Sequence, residues 1–152
     1  MKTIQKGQLA VSTEASERLF APSLGSTLAV IASDSTVPVA GMALLVLPGP
    51  AGSNSIAGGP ELLKGLFHEM VKAGAGVKEM KVVLAGAAGF IREPEVLALG
   101  RELYKLVKKS LMKSGISISG EHVGGPINRS VSIEVGSGEV CVKMPDEREV
   151  IL

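Results

Sequence analysis

The sequence predicts an α/β fold of the α+β kind, a mixed β-sheet sandwich with two main helices packed on it. Three observations lead there. Short β-branched or apolar runs crowd both ends of the chain, two stretches of helical periodicity occupy the middle, and glycine or proline separates most of them. Apolar residues make up 45% of the 152 residues but aromatic ones only 3%, so the core has to be built from Val, Leu, Ile and Ala. That composition suits buried strands against closely packed helices. A chain of this length buries about two thirds of its unfolded surface, and one domain is expected over residues 1–152.

Taken in order, Gln8–Ser12 and Leu28–Ser33 read as strands, and Val37–Leu47 as a longer one buried on both faces. Gly49–Ser55 is a loop, because its glycines and proline deny both helix and ladder. Leu62, Leu63, Leu66, Phe67, Met70 and Val71 recur at helical spacing, with Pro60 suited to a first turn and Gly74 to a stop. Met80–Ala85 reads as a buried strand and Gly86–Gly89 as a turn. The second helix is expected from about Pro94 to Lys113, with Leu99, Leu103, Leu106, Val107 and Leu111 inward and Arg101, Glu102, Lys105, Lys108, Lys109 and Lys113 in solvent. Ile116–Ser119, Val131–Val135 and Glu139–Lys143 alternate apolar and polar residues, and Gly136-Ser137-Gly138 joins the last two as a hairpin.

Composition also excludes functions. Sixteen basic against fifteen acidic residues give a formal charge of +1, which provides no broad field for nucleic acid or an anionic membrane. Met1–Leu9 carries Lys2 and Lys6 with no apolar run behind them, so no secretory signal is read and a cytoplasmic location is expected. From Leu19 to Pro60 the only charge is Asp34, yet Pro22, Pro38 and Pro48 interrupt the stretch before the ~20 apolar residues a membrane helix requires. Cys141 is the sole cysteine, which rules out an internal disulfide and reads as a small strand residue. Neither His68 nor His122 has a partner at metal-ligand spacing, so no metal and no cofactor are expected. Gly86-Ala87-Ala88-Gly89 before a helix could offer amides to an anion, but it lacks the P-loop lysine and full dinucleotide spacing, and a packing turn accounts for it better.

Leu24-Gly25-Ser26-Thr27 followed by Gly41-Met42-Ala43-Leu44 resembles the fingerprint of the CheD family, the chemoreceptor glutamine deamidases of bacterial chemotaxis, which reads LGSC and then GMAH. Leu28-Ala29-Val30, Asp34 and Leu47-Pro48 continue the likeness. Leu84–Phe90 is similar to the family's GGA-x-x-F turn, and Gly124-Gly125 with Arg129-Ser130-Val131 to its ending. The resemblance implies a layered α/β fold of the kind already expected. It also implies a nucleophilic cysteine, a histidine base and a threonine holding the imidazole. The matching positions here are Thr27, Leu44 and Ala21.

Hydrolysis of a glutamine amide needs a strong nucleophile, a base and donors for the oxyanion. The Thr27 hydroxyl stays protonated at neutral pH, and Leu44 accepts no proton. Losing a nucleophile or base from a hydrolase typically costs about four to six powers of ten in rate. Ser23, Gly25, Ser26 and His122 are the remaining pocket candidates. Of these, His122 is the one potential base, and the serines read more simply as small residues of a tight turn. His68 reads as a half-exposed helix residue. Three readings stand: a catalytically silent CheD-like protein with a binding or regulatory role in chemotaxis, a deamidase using a non-cysteine nucleophile, and a small-molecule binding module in the vacated pocket. The partners implied by the resemblance are a chemoreceptor or a CheC-type phosphatase.

Overall fold

The computed structural model describes residues 1–34, 36–46, 60–89 and 94–152, with the side chains of Pro60 and of residues 94–99 excepted. The strands are β1 (Lys2–Thr3), β2 (Leu9–Ser12), β3 (Arg18–Leu24), β4 (Leu28–Asp34), β5 (Ala40–Leu45), β6 (Met80–Gly86), β7 (Ile118–Val123), β8 (Arg129–Glu134), β9 (Val140–Lys143) and β10 (Glu149–Ile151). The helices are α1 (Pro60–Lys72) and α2 (Pro94–Lys113). One five-stranded sheet runs β1-β3-β8-β9-β10 and the other β2-β5-β4-β6-β7. Most neighbours are antiparallel, and β1–β3 and β6–β7 are parallel. The expected mixed sandwich with two helices is therefore the observed architecture.

Two apolar clusters define three layers. Leu19, Ala21, Leu24, Ala29, Leu44, Val131 and Ile133 fill the space between the sheets. Leu28, Val30, Leu45, Leu66, Met70, Leu84, Leu103 and Val107 join the other face of the second sheet to the helices. β4 and β5 serve both clusters, so alternate residues point to opposite faces and both faces are apolar. That is why these strands read as continuous hydrophobic runs.

Several boundaries differ from the sequence expectation. β5 starts at Ala40 rather than Val37, because the Asp34 carboxylate accepts hydrogen bonds from the Thr36 amide and hydroxyl (both 2.6 Å) and from the Val37 amide (3.3 Å), which holds Thr36 and Val37 out of the ladder. β7 begins two residues later than expected and ends four later. Leu106 was expected inward but is 54% exposed. The buried stripe of α2 is Leu103, Val107 and Leu111, each one turn from the next, and Leu106 sits beside it. Val71 likewise lies at the margin of the α1 stripe and is 48% exposed. Gly74 does end α1, with a φ of +109° and Ala75 donating to the Met70 carbonyl. The loop expected over Gly49–Ser55, with Leu47-Pro48 and Phe90, lies outside the described residues.

Candidate functional site

Three backbone segments meet beside the second sheet and are tied by their own hydrogen bonds. The amides of Ala87 and Ala88 donate to the carbonyls of Thr27 and Gly25 (2.9 Å each), Gly89 donates to Gly125 (3.0 Å), and Gly124 donates to Gly86 (2.9 Å). The 86–89 turn thus spends its amides on the 25–27 loop and on the Gly124-Gly125 turn, so these donors are not free for an anion. Gly86 is the residue that permits this. Its φ is +109°, and a Cβ there would overlap the Thr27 carbonyl oxygen.

Ala21, Thr27 and Leu44 are all buried, at 0%, 2% and 2% exposure. Leu44 pairs with Ala29 and Leu45 with Leu28, so Thr27 follows one step beyond the Leu28–Leu45 pair. Continuing that register makes Thr27 and Leu44 diagonal neighbours on adjacent strands, a separation of roughly 7–8 Å between Cα atoms. Ala21 approaches from the facing sheet and shares the inter-sheet cluster with Leu44, Leu24 and Ala29. Ala21 and Leu44 therefore share the apolar inter-sheet core, and Thr27 is buried one residue before β4 begins.

Ser23 and Ser26 are placed differently. β3 shifts register against β8 between Ala21 and Leu24, a bulge in which Ser23 takes a φ of +50° and is exposed. The bulge turns Ser23 away from the core that receives Ala21 and Leu24. Gly25 and Ser26 are partly buried in the loop, and a Cβ on Gly25 would touch the Asn128 side-chain oxygen at 3.5 Å.

His122 stands on the same cross-sheet row as Leu44, which runs Leu44, Ala29, Ala85, His122 across β5, β4, β6 and β7. Three strand spacings of ~4.8 Å separate the ends of that row by about 14 Å, and β4 lies about 10 Å from β7. The imidazole is already engaged. Arg129 donates from Nη1 to His122 Nδ1 (2.9 Å) and to the His122 carbonyl (2.6 Å), and from Nη2 to the carbonyls of Gly124 and Ile127 (3.2 Å for Ile127). A guanidinium can only donate, so Nδ1 is the acceptor and the ring proton sits on Nε2. Burial, and then the Arg129 charge, push the His122 pKa below its usual value and keep the ring neutral.

Arg129 itself is 2% exposed and, among the described residues, faces carbonyls and a neutral imidazole rather than a carboxylate. Its clamp on the 122–127 segment is not legible in the sequence as a role, although the arginine after Gly124-Gly125 is part of the family resemblance. Cys141, on β9 opposite Ser132, points to the outer face of the first sheet while Val140 and Val142 enter the core. Burial, and then Glu149, raise its thiol pKa. His68 is exposed on α1. Among the described residues no cluster of metal-ligating side chains occurs, and no helix is long and apolar enough to cross a membrane.

Comparison with known proteins bears on the whole of this arrangement. A family model described as CheD chemotactic sensory transduction matches residues 50–144. A chemoreceptor glutamine deamidase CheD of Thermotoga maritima is 32% identical over 122 residues, which cover 79% of this chain and 77% of the relative. The chain belongs to the CheD family. A probable chemoreceptor glutamine deamidase CheD 1 of Syntrophus aciditrophicus is 29% identical over 88% of this chain and 87% of its own length. A probable chemoreceptor glutamine deamidase CheD 2 of Methanosarcina acetivorans is 29% identical over 79% of this chain. This CheD-family chain spans only 56% of the length of that relative and 59% of a Methanosarcina mazei one. The family-model match takes in the 86–89 turn, His122 and Arg129, and begins after Ala21, Thr27 and Leu44.

Proposed function

We propose that this chain is a CheD-family protein of chemotaxis signalling that has lost amide hydrolysis and acts by binding, with a chemoreceptor or a CheC-type phosphatase as its partner. In this reading Ala21, Thr27 and Leu44 occupy the positions at which the family carries its threonine, cysteine and histidine. The observation that carries it is that Thr27 is buried and that Leu44, at the position of the family's base, packs into the apolar inter-sheet core. A hydroxyl becomes a nucleophile only when a neighbouring group takes its proton, and a leucine cannot.

Catalysis through His122 finds no support in the geometry. The Nδ1 lone pair accepts from Arg129, Nε2 carries the proton, and the strand that bears the ring is two spacings from β4. Ligand binding in a vacated pocket is not favoured either, since Leu44 and Ala21 pack into the inter-sheet core. Recognition needs only the frame, and the frame is intact: the 25–27 loop, the 86–89 turn and the Gly124-Gly125 turn remain tied together.

The test is a pair of assays on one preparation. Incubation with a chemoreceptor cytoplasmic fragment should release no ammonia above the blank, while affinity capture from native lysate should retain receptor or phosphatase. Ammonia release that disappears on Thr27→Ala would overturn the loss of chemistry, and failure to retain either partner would overturn the binding role.

A further inference from the structure

We propose that the groove between α1 and α2 docks an acidic amphipathic helix of a partner protein. The groove holds about 260 Å³ and is lined by Leu63 of α1 and by Leu103, Leu106 and Val107 of α2, with Lys109 and Lys113 at its rim. Its floor belongs to the buried helix-facing cluster, whereas Leu106 leaves 54% of its surface in water. On the other side of Lys109 and Lys113 lies a second, shallower depression lined by Tyr104 and Met112, and Met112 is 71% exposed. Two aliphatic side chains at the surface of one helix, beside an apolar trough, are what a helix-in-groove contact uses as its seat.

The charge on α2 specifies the partner's sign. The chain as a whole has a formal charge of +1, yet from Gly100 to Lys113 the helix carries Arg101, Lys105, Lys108, Lys109 and Lys113 against Glu102 alone. Lys105 reaches Glu102 at 4.0 Å and Lys108 reaches Glu121 at 3.7 Å. Lys109 and Lys113 meet no carboxylate at ion-pair distance among the described residues, and they stand one helical turn apart on the ridge between the two depressions. A partner helix with carboxylates one turn apart offers the same spacing, and its aliphatic face fills the trough. A flat anionic membrane fits less well, because Leu63, Leu103 and Val107 line a concavity that lipid headgroups do not enter. This surface is separate from Thr27, so it stands or falls independently of the chemistry there.

The probe is a fluorescent helical peptide of about 18 residues with leucines on one face and glutamates on the other. A second peptide replaces each glutamate with lysine. The acidic peptide is expected to bind with a dissociation constant of about 1–100 μM at low salt, and the basic one at least about tenfold more weakly. Leu106→Ser and the double variant K109Q/K113Q should each weaken the acidic peptide about fivefold or more, with circular dichroism spectra unchanged. Both changes are at the surface, so they leave the core intact. Absence of binding at about 0.2 mM peptide, equal binding of the two peptides, or indifference to both variants overturns the proposal. Sedimentation with phosphatidylserine vesicles, or dimerisation abolished by Leu106→Ser, in the absence of peptide binding, also overturns it.

Discussion

Arg129 places its guanidinium 2.9 Å from Nδ1 of His122, so burial and then a neighbouring cation hold a histidine neutral. The same side chain gathers the carbonyls of His122, Gly124 and Ile127 and so fixes the turn that abuts the 86–89 segment. Arg129→Met leaves those carbonyls without their donor, and a loss of about 3 kcal/mol in unfolding free energy is expected from chemical denaturation. A loss below about 0.5 kcal/mol would mean that the clamp is ornamental.

The ring also makes a prediction about pH. The folded-state pKa of His122 lies below 6.5, so between that value and 6.5 the unfolded chain binds the extra proton and the native state does not. The contribution is therefore complete above pH 6.5 and is lost as the pH falls through the folded-state value. NMR titration of the His122 ring should give a midpoint below 6.5, and a midpoint above 6.5 would contradict the tautomer assigned to it.

Asp34 behaves in the same direction at lower pH. Hydrogen bonds from the Thr36 hydroxyl first, and then from the Gly76 amide (2.7 Å) with the Thr36 and Val37 amides, hold its pKa at about 2 against a usual 3.8. Its stabilising effect is present above pH 3.8 and disappears as the pH drops towards 2. Asp34→Ala should cost about 2–3 kcal/mol at neutral pH and much less near pH 2. An equal cost at both values would show that the carboxylate charge is not what matters.

Gly86→Ala tests the staple between β6 and the 25–27 loop. The added methyl would overlap the Thr27 carbonyl in a backbone conformation that side chains resist. A destabilisation of about 3 kcal/mol or more is expected in thermal melts, because relief requires breaking the Ala87–Thr27 hydrogen bond. A change under about 1 kcal/mol would mean that the loop yields freely.

Much of this architecture is legible in the residues, for physical reasons that also mark where legibility ends. β4 announces itself because both faces are buried and every position from Leu28 to Ala32 is apolar. α2 announces both of its ends. β3 does not, since Pro22 and Ser23 sit in a bulge that breaks the alternation shown by Leu19, Ala21 and Leu24. β1 and β10 are too short to register, and pairing with β3 and β9 alone makes them strands. Leu106 looked like a core residue because periodicity cannot tell the centre of an apolar stripe from its margin. At the site, Thr27, Leu44 and Ala21 are marked only by a resemblance in sequence. The seizure of His122 by Arg129 was not, because it depends on a contact between β7 and β8 that no local pattern encodes.

The most direct measurement is mass spectrometry of a chemoreceptor cytoplasmic fragment after incubation with the native protein and, in parallel, with the triple variant Ala21→Thr, Thr27→Cys, Leu44→His. The native protein is expected to leave every glutamine intact, while the variant converts some to glutamate because the frame around the loop persists. Conversion by the native protein at an ordinary enzymatic rate, abolished by Thr27→Ala, would contradict the account.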